Sequence, residues 1–223
     1  MYWKDEGYLL YKSNYNENSI IVEVFTLNHG KYSGIVYGGA SKKQKRNYQI
    51  GNKISLSWKS KSENRIGYFS IELIKPVSPL FFEDKKKTTC ILAAASILKI
   101  LLPEGQINKT IYLSFDELTN QFNCDDWIRL YIFWELFLIK ELGFDMNFLD
   151  IKKSQTHINN TIEINDRILK IPKLLFYQNN KNVSKFDVKE ALIFNKDLLM
   201  ENFIIPNRLR FPISRNILEK YYN

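Results

Sequence analysis

"IIVEVFTLNHGKYSGIVY", residues 20–37, is two β-rich runs folded about a turn. Val, Ile, Phe and Tyr fill both flanks, and Asn28-His29-Gly30 between them supplies the positive φ that a tight hairpin needs. The spacing predicts strands at Ser19–Leu27 and Lys31–Tyr37. Outward from this hairpin, runs of the same kind recur at Gly7–Lys12 before it and at Lys53–Trp58 and Ile66–Lys75 after it. The last two read as a second hairpin with Ser62-Glu63-Asn64 at its tip. Five strands within residues 1–75, with no helical period among them, predict a small closed barrel or a sandwich. Closure removes the edge strands that so short a sheet exposes.

The pattern changes at Pro76–Pro79. Beyond it the apolar period is helical: Lys87–Leu102, then a segment opened by Ser114-Phe-Asp-Glu117, read as a capping box. Asp125-Asp126 opens the long apolar helix Trp127–Leu142, which Gly143 ends and which should run through a helical core. Residues 147–182 are irregular, with a hairpin at Thr161–Ile171; a helix or helix pair follows at "SKFDVKEALIFNKDLLMENF", and a short last helix at Ser214–Tyr222. The fold class is α+β, a barrel over residues 1–78 followed by an α-helical domain over 79–223. The start of the chain lacks a secretory signal, and Glu135, Lys140 and Glu141 interrupt its most apolar stretch, so a cytoplasmic protein without membrane contact is expected.

Charge is distributed unevenly. The net charge is +8, yet residues 1–75 hold 12 Lys+Arg against 6 Asp+Glu, while residues 76–223 hold 20 against 18. The strand-rich third also carries 12 aromatic residues. Cations that follow a phosphate backbone, interleaved with rings on which bases stack, suit single-strand binding. Phe25, Trp58 and Phe69 are set aside as barrel core, because they fall within alternating strands. The candidate DNA-binding residues are Lys31, Lys42, Lys43, Lys45, Arg46, Lys59, Lys61 and Arg65. Four of them sit in "GGASKKQKRNYQIG", residues 38–51, between the third and fourth strands. This is no P-loop: the spacing to a Lys-Ser/Thr pair is absent and no apolar helical stripe follows. A solvated loop and a phosphate-binding loop both fit it.

Catalytic signals are weak. Asp116-Glu117 and Asp125-Asp126 lie at expected helix starts, where negative charge favours the helix dipole. Cys90 and Cys124 fall in helix-like contexts and read as buried, inert thiols. Neither an enzyme nor a cofactor is expected.

"DEGYLLYKSNYNENSIIVEVFTLNHGKYSGIVYGGASKK" resembles the start of the bacterial recombination mediator RecO family, whose members have an acidic-Gly strand, a strand ending T-x-x-x-G, and G-x-x-x-G-G. The resemblance continues through "LLPEG", "FWELFLIKELGFDMNF" and "KIPKLLF" to "IIPNRLRFPISRNIL", in order along nearly the whole chain. It implies an N-terminal oligonucleotide-binding (OB) barrel and a helical domain. The implied activity is binding single- and double-stranded DNA, annealing complementary strands and helping a recombinase displace single-strand-binding protein. The implied partners are RecR and the acidic C-terminal tail of single-strand-binding protein, and the implied place is the bacterial nucleoid. Many relatives hold a structural zinc with four cysteines after the long helix. Here residues 147–182 contain none, Ile151 stands about where the first is expected, and His157 cannot fill a tetrahedral site alone, so no metal is expected. Ile162, Ile164, Ile168, Leu169 and Ile171 are left to hold that region by packing.

An acidic tail ending in a free carboxylate needs an apolar pocket rimmed by cations. The candidates are Lys99, Arg129, Lys140, Arg208, Arg210 and Arg215, the last three being equally readable as a solvated basic strap. Arg129 stands on the long apolar helix, where a salt bridge to Asp125 or near Glu135 is the plainer reading. An RNA-binding barrel and a non-enzymatic adaptor recruiting through the helical domain stay open beside the DNA-repair reading.

Overall fold

The computed structural model describes residues 1–41, 44, 47–61, 66–144, 161–165, 167–176 and 183–223. Strands β1 (Tyr2–Asn14), β2 (Ser19–Thr26) and β3 (Gly30–Tyr37) form an antiparallel meander, turned at Asn28-His29 as the sequence demands. β4 (Lys53–Lys59) returns antiparallel to β1, and β5 (Gly67–Lys75) pairs antiparallel with β4. A short parallel seam, Gly34 with Gly67 and Ile35 with Tyr68, joins β5 to β3. The order β1-β2-β3-β5-β4 therefore closes on itself. Every strand then has two neighbours, and no long row of unpaired amides is left.

The 13-residue β1 makes this closure possible. Its first half pairs with β4 and its second with β2, and a register shift between Leu9 and Tyr11 lets the strand bend from one partner to the other. The strand begins five residues before the predicted Gly7, because Lys4, Asp5 and Glu6 disguise it as polar. Inside, Trp3, Trp58 and Phe69 form one cross-strand row above Leu56 and Ile71, and above Ile54 and Leu73. Gly67 is required there, because a β-carbon at that position would lie 2.3 Å from the Trp58 indole.

Two helices complete this unit. α1 (Lys85–Leu101) starts on Asp84, whose carboxylate accepts from the amides of Lys86 and Lys87. Near its end Lys99 sits 3.4 Å over the Tyr11 ring and 3.3 Å from Glu23. α2 (Lys109–Gln121) packs Tyr112 and Phe115 against Tyr8 and Phe25, which face outward from the barrel wall. The Tyr8 hydroxyl donates to Asp116 (2.6 Å), and Lys53 bridges Asp116 (2.7 Å) and Glu6 (3.2 Å). α2 thus starts earlier than predicted, and Ser114 is no cap. Asn108 accepts the Ile111 amide, while the Ser114 hydroxyl bonds back to the Ile111 carbonyl inside the helix.

The compact unit accordingly runs Met1–Thr119, past the change of pattern at residue 78, because α1 and α2 belong with the barrel. The second unit, Asn120–Asn223, holds α3 (Trp127–Glu141), the hairpin β6 (Thr161–Ile164) and β7 (Arg167–Lys170), α4 (Lys173–Phe176), α5 (Lys185–Leu199) and α6 (Ile213–Lys220). Ser184 and Asp187 form a reciprocal capping box at the start of α5, and a π-helical turn, Met200–Ile204, prolongs it. α3 is buried on most sides, as its all-round apolarity requires. Of the residues expected to pack the hairpin region, Ile164 and Ile171 are buried but Ile168 is exposed. Cys90 is buried, whereas Cys124 lies on the surface in the turn before α3, not within a helix. Ile151, His157 and the tip Ser62-Glu63-Asn64 lie outside the described residues.

Candidate nucleic-acid interface

The outer face of β1, β4 and β5 is set by strand register. Directly opposed residues point the same way, so Tyr2, Lys59 and Tyr68 form one outward row, and Lys4, Ser57 and Ser70 the next. Glu6, Ser55 and Glu72 follow as the third. The face is therefore aromatic and cationic at the Tyr2 end and acidic in its third row, where Glu6 pairs with Lys53. At the first end Tyr2 is 61% exposed and Tyr68 38%, and Lys59 and Lys61 are exposed beside them. Tyr37, 65% exposed at the last position of β3, stacks on Tyr68 with ring centroids 5.1 Å apart and planes 19° from parallel. Its hydrogen bond with Tyr68 pushes the Tyr37 phenol pKa up, so this ring stays neutral at physiological pH. Exposed rings next to lysines suit base stacking with phosphate contact, worth about 1–3 kcal/mol per stacked base.

The barrel mouth beside this face is tightly organised. Asp5 accepts from His29 Nδ1 (2.7 Å) and from the Asn28 amide (2.8 Å) and side chain (3.0 Å), fixing the β2–β3 turn. Burial would raise the Asp5 carboxyl, but these bonds outweigh it and hold the pKa below the usual value. His29 in turn stacks on Trp3 at 4.1 Å.

The predicted contacts divide sharply. Lys59 and Lys61 lie on the exposed face, and Lys42, Lys43, Lys45, Arg46 and Arg65 lie outside the described residues. Lys31 is half-buried and engaged within the unit: its ammonium donates to the Lys99 carbonyl at 2.5 Å, and burial lowers its pKa against the pull of Glu23 and Glu104. In the second unit Lys140, Arg208 and Arg210 are exposed. Arg129 is only 9% exposed and pairs with Asp126 at 3.2 Å, one residue beyond the expected Asp125. It borders a pocket of about 510 Å³ with Lys185, Val188 and Tyr222. Arg215 is fully buried, which removes it from any binding surface. Its Nε and Nη2 reach Glu135 at 2.5 and 3.0 Å, and Nη2 also donates to the Leu192 carbonyl.

Tyr2, Tyr37 and Tyr68 are among the rings the sequence leaves for stacking once Phe25, Trp58 and Phe69 are set aside, but the sequence did not single these three out from the rest. The signal was present for one of them: Tyr68 and Phe69 are adjacent in a strand, so one must face out. Among the described residues no group of three or more His, Cys, Asp or Glu gathers as a metal site, and no helix is long and apolar enough to cross a membrane.

Residues 1–77 match the family model described as Recombination protein O N terminal. The chain is 31% identical to the DNA repair protein RecO of Ehrlichia chaffeensis over 97% of this chain and 98% of that relative. It is 33% identical to the protein of that name from Cereibacter sphaeroides and 32% to that from a Wolbachia of Drosophila simulans, each over 66% of this chain. Those two matches span 61% of the relatives' own length.

Proposed function

This chain belongs to the RecO family of DNA repair proteins, and from that premise we propose that it is a recombination mediator whose barrel binds and anneals DNA strands. The observation that carries the proposal is the exposed row Tyr2, Lys59 and Tyr68 with Tyr37 stacked on it. Aromatic rings stack on any base and lysines follow any phosphate, so this outer row by itself grips single strands with little sequence preference and leaves the hydrogen-bonding edges of the bases on it available to a complement. Lys42, Lys43, Lys45, Arg46 and Arg65 fall in the same basic stretch of sequence, residues 1–75, and add charge for phosphate contact, which also suits duplex DNA. The reading assigns no catalytic step, and DNA binding places the protein at the bacterial nucleoid.

Two partners complete the proposal: RecR, and the C-terminal tail of single-strand-binding protein. For the tail, the pocket bordered by Arg129, Lys185, Val188 and Tyr222 offers cations beside apolar walls for carboxylate capture, with Asp125 and Asp126 also on its rim. The tail carboxylate must share Arg129 with Asp126.

One experiment tests both levels. Complementary oligonucleotides are mixed with the full chain, either bare or coated with single-strand-binding protein, and duplex formation is followed by fluorescence. The full chain accelerates both reactions, and Arg129→Ala slows only the coated one. No acceleration of the bare reaction contradicts the function; equal loss in both by Arg129→Ala moves the tail site elsewhere.

A further inference from the structure

Beside the outer row, the barrel mouth opens into a cleft of about 1030 Å³ lined by Trp3, His29, Tyr32, Trp58, Gly67 and Glu104, among others. Its aromatic wall is fixed. His29, Trp3 and Trp58 form a stack with centroid separations of 4.1 and 5.5 Å, and Tyr32 stands edge-on to both indoles at 5.3 and 5.5 Å. Asp5, its side chain 1% exposed, anchors the outer ring of that stack through His29 Nδ1.

Glu104, exposed at the cleft rim, is positioned by the backbone beneath it. The Pro103–Gln106 turn runs beside β3 as a bridge between Lys31 and Glu104, closed by the Gly105 amide on the Lys31 carbonyl at 2.9 Å. Gly30 permits this approach, because a β-carbon there would lie 2.1 Å from the Gln106 carbonyl oxygen. The Ser33 amide donates to Glu104 Oε1 at 3.0 Å and orients the carboxylate. Among the described residues the lining contains no lysine or arginine, and the Met1 ammonium is committed to the Ser60 carbonyl at 2.8 Å. A phosphate finds no lysine or arginine side chain to pair with in this lining. A flat ring bearing N–H donors is accepted.

We propose that this cleft takes one guanine base turned out of a single strand, a specificity that rests on the DNA-binding reading of the adjacent row. A carboxylate only accepts hydrogen bonds and can take two donors side by side. Guanine is the one DNA base whose pairing edge presents adjacent donors, N1–H and the N2 amino group. Adenine and cytosine offer an amino group beside an unprotonated ring nitrogen, and thymine flanks its single N–H with two carbonyl oxygens. Unstacked bases are ordinarily read this way, by aromatic contact and their Watson–Crick edge. Tyr2 lies both in the outer row and in the cleft lining, so a strand on the face is led to the cleft.

The test uses the full chain and labelled oligonucleotides: a thymine 15-mer, and the same strand with one central guanine, inosine or adenine, titrated by anisotropy. The guanine strand should bind roughly tenfold tighter than the thymine strand, the scale of one good two-pronged base contact. Inosine, lacking the N2 amino group, should lose most of that gain, and adenine all of it. Glu104→Gln should erase the guanine preference while leaving the thymine 15-mer unchanged. Equal affinity for the guanine and thymine strands overturns the inference alone, as does a preference that survives Glu104→Gln. Failure to bind any of the strands overturns the DNA-binding reading and this inference with it.

Discussion

Among single residues, Arg215 and Asp5 show how far context redirects a charged side chain. Arg215 sits in an arginine-rich closing stretch that reads as a contact surface, yet it is 0% exposed and its partner Glu135 also accepts from Tyr131 and Asn195. Burial alone would lower the Arg215 pKa, but Glu135 beside it holds the guanidinium charged and raises the value. Arg215→Met therefore leaves a buried carboxylate without its cation, and should cost about 3–5 kcal/mol in urea unfolding. Arg210→Met, on the surface, should shift the midpoint little; equal effects would refute the internal ion pair. Asp5 works through pH. Its folded pKa is depressed below 3.8, so its contribution to stability is complete above that pH and disappears as pH falls through the lower folded value. Asp5→Asn should therefore be less stable than the parent at pH 7, and the difference should shrink below about pH 3.8. A difference constant from pH 7 to pH 3 would show that the Asp5 charge contributes nothing.

At the level of elements, the outer face of β1, β4 and β5 is where local sequence and register meet. Tyr37→Ala and Tyr68→Ala should each weaken single-strand binding by about 1–3 kcal/mol, the loss of one stacked base, in anisotropy titrations. Glu72→Ala, in the acidic row of the same face, should not weaken it. Weakening by Glu72→Ala equal to that by either tyrosine variant would mean that the rings are not the platform. Much of this was legible beforehand. The hairpin at Asn28-His29-Gly30, the five strands, the long buried α3 and the small β6–β7 hairpin all follow from periodicity and turn chemistry. The start of β1 was hidden because residues 4–6 are charged on both faces of the strand, with Asp5 turned inward to serve the turn. The start of α2 was misplaced because Ser114 satisfies the capping pattern while bonding backward within an existing helix. Tyr37, Tyr68 and the Trp3–His29 stack depend on which residues lie opposite across strands. Composition cannot supply that register.

For the whole molecule, the cationic excess is concentrated in one part of the chain. Residues 1–75 carry a clear cationic excess, and they form the barrel that the family match covers. The second unit is close to neutral, and its arginines divide between the internal Arg215, the half-committed Arg129, Arg167 paired with Glu201, and the exposed Arg208 and Arg210. DNA binding should therefore be an electrostatic property of the barrel, with base stacking added to it. Counterion release makes that claim countable, since each neutralised phosphate on a single strand contributes about 0.7 to the log–log dependence of affinity on salt. The decisive measurement is this slope for the full chain and for Lys42→Ala/Lys43→Ala/Lys45→Ala/Arg46→Ala on one oligonucleotide. If the barrel and its basic loop carry the strand, the parent slope is steep and the quadruple variant flattens it by roughly 3. An unchanged slope in a variant that keeps the parent's melting temperature would contradict the account.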